Sequence, residues 1–244
     1  MFSVKFLKHV LLGLLLASLL VVSCKKDEEV PVLSEYQESV VEYFKEIALG
    51  YEFSADQAVT RKWKSPMKLF VGGVKNDTYL QETLSWAIAE INNLATDGFY
   101  IEITSDSSAS NAYIYFGAVN QFLDMFPEEE GVLTTGDNGL SSVWYNWRNF
   151  IVQARIFVEV STSTKEQQRS IILEELTQSL GLGNDSPLYP LSIFYETATD
   201  GGYVQEYSAM DKDLVRLLYH PDMKQGLDVD EVDLLLRQII VTLL

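Results

Sequence analysis

Ile171-Ile172-Leu173-Glu174-Glu175-Leu176-Thr177-Gln178-Ser179-Leu180-Gly181-Leu182-Gly183-Asn184-Asp185 carries the most informative pattern in this chain. Its apolar residues recur at helical spacing, so a helix is expected over roughly residues 164–180. Glu174 and Gln178 stand four apart and therefore share one side of that helix, with Glu175 displaced around it. Gly181 lets the chain leave the helix through a backbone conformation that bulkier residues disfavour. On this reading Asn184 turns back toward the space in front of Glu174 and Gln178.

Working outward, the neighbouring segments supply strands and further helices. A short helical stripe runs through Val40, Val41, Phe44, Ile47 and Ala48, with Glu35 and Glu38 at its start. Met67 to Val71 suits a strand that Gly72 and Gly73 end, and Asp77 caps a helix carrying Leu80, Leu84, Ala87, Ile88, Ile91 and Leu94. Strands are expected over residues 99–104, 112–116 and 150–160, the last with Glu159 on its wetter face. Pro127, the run Glu128-Glu129-Glu130 and Asp137-Asn138-Gly139 mark breaks and turns. Residues 229–244 read as a core-packing helix rather than a membrane span, because Asp230, Glu231 and Asp233 interrupt a stretch too short to cross a bilayer. This alternation gives an α+β body without fixing the strand order.

The composition narrows the chemistry. Across 244 residues there are 18 Lys+Arg against 35 Asp+Glu, a formal charge of -17. Such acidity repels phosphate backbones, so no nucleic-acid partner is expected. The 47% apolar content is ample for a core. One cysteine excludes an intrachain disulfide, and the only histidines, His9 and His220, lie too far apart to form a local metal motif. Ser179 has no histidine placed to activate it, and there is no Gly-rich phosphate loop.

Lys5 and Lys8 precede the apolar residues 10–22, the order of a secretion signal. Val21-Val22-Ser23-Cys24 resembles the bacterial lipoprotein processing box, in which the cysteine becomes the acylated first residue. Lys25-Lys26-Asp27-Glu28-Glu29 is similar to the export tether of surface lipoproteins in the Bacteroides group. The expected organisation is a signal peptide over 1–23, an acylated tether over 24–33, and one domain over 34–244 with room for a small N-terminal helical appendage. The resemblance implies an outer-membrane lipoprotein, surface-exposed and held at the membrane through Cys24.

The stretch 171–185 also resembles the zinc signature of the metzincin metallopeptidases, in which two histidines on a helix and a third ligand beyond a glycine turn hold the metal. In that match Glu174 and Gln178 occupy the first two ligand positions, Asn184 the third, Glu175 the catalytic glutamate and Gly181 the turn glycine. Asp185 is an acidic neighbour of the third position. Ser192-Ile193-Phe194-Tyr195 is similar to the family's methionine turn, with Phe194 at the methionine position, and residues 207–219 resemble the following helix of matrix-type members. The resemblance implies a zincin-like fold with a twisted mixed sheet, an active-site-type helix and C-terminal helices. Because no imidazole stands at a ligand position, it also implies a catalytically silent member with no metal or other cofactor. More closely, residues 174–186 are similar to the bacterial family catalogued as domain of unknown function 2927, which includes predicted lipoproteins.

The functional expectation is a surface lipoprotein that binds an extended peptide or a cell-envelope component. Residues 150–160 are its candidate strand edge, and Trp144, Tyr145 and Trp147 line the opening unless they belong to the core, where most such aromatics sit. The alternative is a metal-independent or otherwise atypical carboxylate-dependent hydrolase using Glu174 and Glu175. Activity that survives metal removal but is lost in Glu175→Gln would favour it.

Overall fold

In the computed structural model, residues 31–50, 57–134, 136–196 and 203–244 are described. The expected signal segment, Cys24 and most of the expected tether lie outside the described residues. Helix α1, Glu35–Ala48, begins at Ser34, whose hydroxyl accepts from Gln37 N while the Gln37 side chain accepts from Ser34 N. Two backbone donors that a helix start leaves orphaned are thereby satisfied. Val40, Val41, Tyr43, Phe44 and Ile47 are fully buried and belong to the main core.

Strands β1 (Lys62–Trp63) and β2 (Met67–Gly73) follow. Asp77 then caps α2, Thr78–Leu94, by accepting from Tyr79 N and Leu80 N. Next come β3 (Ile101–Thr104), β4 (Ala112–Gly117), the short helix α3 (Val119–Met125), β5 (Gly139–Tyr145) and β6 (Phe150–Glu159). Helices α4 (Lys165–Gln178), α5 (Ala209–Leu218) and α6 (Val229–Leu243) complete the order. Among the described residues no helix is long and apolar enough to cross a membrane.

One mixed sheet holds all six strands. β3, β2, β4 and β6 lie side by side in parallel, β1 pairs with the first residues of β6 on its β4 side, and β5 runs antiparallel along β6's other side. β6 is thus an interior strand, which corrects the expectation that residues 150–160 form the open edge. Its run from Ala154 to Glu159 is buried on both faces. Glu159 is not on a wet face: its carboxylate accepts from Val119 N at 3.0 Å and from Ser161 N at 2.7 Å, which offsets the cost of burial.

Side chains alternate across the sheet, so β4 and β6 serve two cores. Met67, Leu69, Ile114, Phe116, Ile156 and Val158 point into the main core beneath α2 and α4, to which α1, α5 and α6 contribute. Tyr115, Leu140 and Phe157 point to the other face, where Phe122 of α3 covers them. Ion pairs join α1 to α6: Arg237 grips Glu38 with two bonds of 2.8 and 2.9 Å, and Lys45 meets Asp233 at 2.8 Å. These pairs lie near the surface and contribute modestly beside the apolar stripe they flank.

Candidate functional site

Helix α4 starts at Thr164, whose hydroxyl accepts from Gln167 N, and it ends in a turn held by buried polar side chains. Trp63 Nε1 donates to Ser179 O at 2.9 Å, and Tyr219 Oη donates to Leu180 O at 2.9 Å. Thr177 Oγ1 bonds back to Leu173 O and lies 3.0 Å from Tyr207 Oη. The orphaned carbonyls of the helix end are therefore supplied from β1 and α5. Gly181, with φ +114°, carries the chain out of the helix, and its Cα faces the Arg61 carbonyl oxygen too closely for any Cβ.

This end of α4 and the edge strand β5 enclose a cleft of about 700 Å³. One wall is Ser170, Ile171, Glu174, Glu175 and Gln178, and the other is β5 from Gly139 to Tyr145. Gly139 lets the two walls meet: a Cβ there would overlap Glu175 Oε1 and stand 2.7 Å from Ile171 Cγ2. Glu175 is accordingly only 8% exposed.

Backbone parity shows which groups of β5 face the cleft. Ala154 N donates to Asn111 O beside β4, whereas Glu159 N donates to Asn138 O beside β5. Donors alternate along a strand, so residues 155, 157 and 159 address β5. Their partners are Ser142, Leu140 and Asn138. Gly139, Ser141 and Val143 consequently turn their N–H and C=O groups away from β6. Among the described residues no other strand pairs with β5.

The positions matched to a zinc site separate in space. Glu174, Glu175 and Gln178 line the cleft, as does Asp185, to which Gln178 Nε2 donates at 2.7 Å. Asn184 does not approach Glu174 and Gln178: its Nδ2 donates to Glu46 O at 2.9 Å and its N to Ile47 O, binding it to the end of α1. A turn read from spacing alone leaves its direction open, and here the carbonyls at the end of α1 take Asn184 while Asp185 takes the inner place. The donor set toward the cleft is carboxylate and amide without imidazole, which does not fit zinc. Among the described residues no group of three or more His, Cys, Asp and Glu side chains is arranged to hold a metal ion. His220 lies elsewhere, its Nδ1 accepting from Asp222 N at 3.2 Å.

Phe194 is buried, and the segment around it is tied to the site by Ser186 N donating to Phe194 O and Glu196 N to Ser186 O. Ser186 and Tyr195 pair as a parallel bridge, so the residue after Asp185 is fixed to this turn. Of the aromatics, Trp144 and Tyr145 line the cleft, but Trp147 does not. Trp147 is 85% exposed at the β5–β6 turn and Trp144 is 39% exposed, so neither is a core residue. Strand β5 itself was not legible as an element, and its role as cleft wall adds Gly139, Ser141 and Val143 to the site.

The family model described as Protein of unknown function (DUF2927) matches residues 37–238. No curated protein matches the chain. A solved structure described as "Structure of myroilysin" is similar at 12% identity and a TM-score of 0.38, covering 66% of this chain and 97% of that one. Another, "Structure of a chaperone-substrate complex", is similar at 11% identity and a TM-score of 0.30, covering 68% of this chain and 36% of that one.

Proposed function

This chain belongs to the family described as Protein of unknown function (DUF2927), and from that premise we propose that it is a non-catalytic, metzincin-like lipoprotein that holds an extended segment of a peptide or envelope component along β5. The observation that carries this reading is the outward-turned backbone of Gly139, Ser141 and Val143 beside the cleft that α4 also lines. Main-chain groups on an unpaired edge recognise an extended ligand without any reacting side chain. Where a zinc peptidase places imidazoles, this chain places Glu174 and Gln178, which supports binding over hydrolysis.

Proline distinguishes the two faces of the strand, because it removes one N–H and fixes φ at a value strands tolerate. In Ser141→Pro the lost donor points into the cleft, so binding of strand-forming peptides should fall by about tenfold or more while Tm stays within about 2 °C of wild type. In Ser142→Pro the lost donor belongs to the β6 ladder, and Tm should drop instead. Fluorescence anisotropy beside thermal melts reads both. Unchanged peptide affinity in a folded Ser141→Pro variant would overturn the proposal.

The lipoprotein part of the reading is supported by the order of basic residues, apolar stretch and Cys24. Anchoring then requires acyl chains at Cys24 rather than a spanning helix. Wild-type chain expressed in a bacterial host that lipidates such sequences should sediment with membranes and show acylated Cys24 by mass spectrometry. Cys24→Ala should lose both. A wild-type chain whose Cys24 carries no acyl group would sink this assignment.

A further inference from the structure

The turn between β5 and β6 is firmly bonded. Asn146 N donates to Phe150 O and Asn149 N to Asn146 O, each at 2.9 Å. Asn146 Oδ1 accepts from Arg148 N at 2.9 Å and from Phe150 N at 3.3 Å. Asn149 takes φ +62°, a left-handed conformation that asparagine tolerates. This frame holds Trp147 almost wholly in solvent, and Val152 is exposed nearby, where β5 and β6 change register. A large apolar ring kept outside on a well-bonded turn marks a contact surface.

The surroundings of Trp147 are basic, against the trend of the chain. Arg148 Cζ lies over the Trp147 ring at 4.5 Å, and Nζ of Lys64, the residue after β1, lies over the Phe150 ring at 5.4 Å. Neither cation has a carboxylate within ion-pair distance among the described residues. The pairing of β1 with β6 brings together two stretches that contain no Asp or Glu in a chain that has 35. Residues 57–76 carry Arg61, Lys62, Lys64, Lys68 and Lys75, and residues 138–158 carry Arg148 and Arg155.

We infer that this turn docks on a bilayer surface containing anionic phospholipid, with Trp147 at headgroup level and Lys64 and Arg148 against the phosphates. The inference does not draw on the strand-edge reading, and it adds to the proposed anchor at Cys24 a direct contact between the folded domain and the membrane. Tryptophan suits a membrane–water interface because its ring is apolar and its N–H polar. Surface charges act over about 8 Å at physiological salt, so the local sign at the turn outweighs distant carboxylates. Those carboxylates repel an anionic surface from the faces that carry them, which leaves the acid-free turn to meet it. A single exposed ring with two point charges fits a fluid bilayer, which needs no complementary pocket.

The test reconstitutes the full chain into vesicles of phosphatidylcholine, alone or mixed with phosphatidylglycerol, whose brominated acyl chains quench nearby tryptophan emission. Wild-type emission should be quenched at least about twofold more in the anionic vesicles. Trp147→Phe should remove most of that extra quenching, because Trp63 is buried and Trp86 is stacked on Tyr207. A Lys64→Glu, Arg148→Glu double variant should remove it with Trp147 still in place and Tm within about 2 °C of wild type. Equal quenching of wild type in both vesicles, or extra quenching undiminished in Trp147→Phe, overturns the inference. So does Trp147 emission that follows protein concentration and not lipid, the mark of contact with a second copy. A chain that floats with the vesicles unquenched keeps its anchor and loses the docking turn.

Discussion

Gly181→Ala should lower the stability of the chain by about 4 kcal/mol or more, one of the largest losses any single methyl group can cause here. Two costs combine. The backbone φ of +114° is a region L residues avoid, and the added Cβ would overlap the carbonyl oxygen of Arg61, a backbone atom with no rotamer to move it away. Relief requires the end of α4 to part from β1. That movement would strain the bonds from Trp63 and Tyr219 to the carbonyls of Ser179 and Leu180. Gly98 separates the two costs, because it has φ +94° and open space where its Cβ would stand. Gly98→Ala should cost only about 1–2 kcal/mol. For a chain of this size each kcal/mol corresponds to about 2–4 °C, so the melts should differ by roughly 5 °C or more, with Gly181→Ala the lower. Equal melting temperatures would mean that the close approach at Gly181 is not a constraint on the fold.

Helices α1, α2, α4 and α6 were legible from apolar residues at helical spacing, whereas the short α3 was not read as an element, and local chemistry marks several of the helix starts. Ser34 with Gln37, Asp77 ahead of Leu80, and Asp228 with Glu231 each place a capping acceptor where an apolar stripe begins. The Gly181 exit was legible for the same reason, since positive φ and a close backbone approach both select glycine. Strand β5 was not, because Gly139-Leu-Ser-Ser-Val-Trp-Tyr145 presents small polar residues where a two-sided strand shows an apolar run. Its pairing is imposed by β6 from outside the segment. The long β-branched and aromatic run of β6 was read as an edge, yet a run buried on both faces is the mark of an interior strand. The exchange of Asn184 for Asp185 at the cleft depends on the carbonyls of Glu46 and Ile47, far away in sequence, so spacing within the motif carries no trace of it.

Asp211 is where a second large effect is expected, and its size changes with pH in a way a simple packing defect would not produce. Its carboxylate is fully buried at the start of α5. Oδ1 accepts from Ser192 Oγ at 2.5 Å, and Oδ2 accepts from Ser208 N at 2.8 Å and Ile193 N at 3.3 Å. Ser192 in turn accepts from Tyr43 Oη at 2.8 Å and Phe194 N at 3.2 Å, so one residue joins α1, the turn around Phe194 and α5. Asp211→Asn retains the shape but sets an amide N–H₂ against donors that need an acceptor. Leaving buried backbone donors unpaired costs about 1–3 kcal/mol each, so a loss on the order of 4 kcal/mol is expected at mildly acidic pH. Burial raises the Asp211 pKa above its ordinary 3.8, outweighing the hydrogen bonds that lower it. With the folded value above the unfolded one, this group's titration contributes stability that is fully present below 3.8 and lost as pH rises through the folded pKa. Wild type therefore loses stability with rising pH through this group, Asp211→Asn does not, and the gap between them should narrow steadily from acid toward neutral pH. Chemical denaturation of both proteins across that range measures it. A gap that widens with pH would show that the donated hydrogen bonds prevail over burial and that the buried carboxylate is most stabilising when charged.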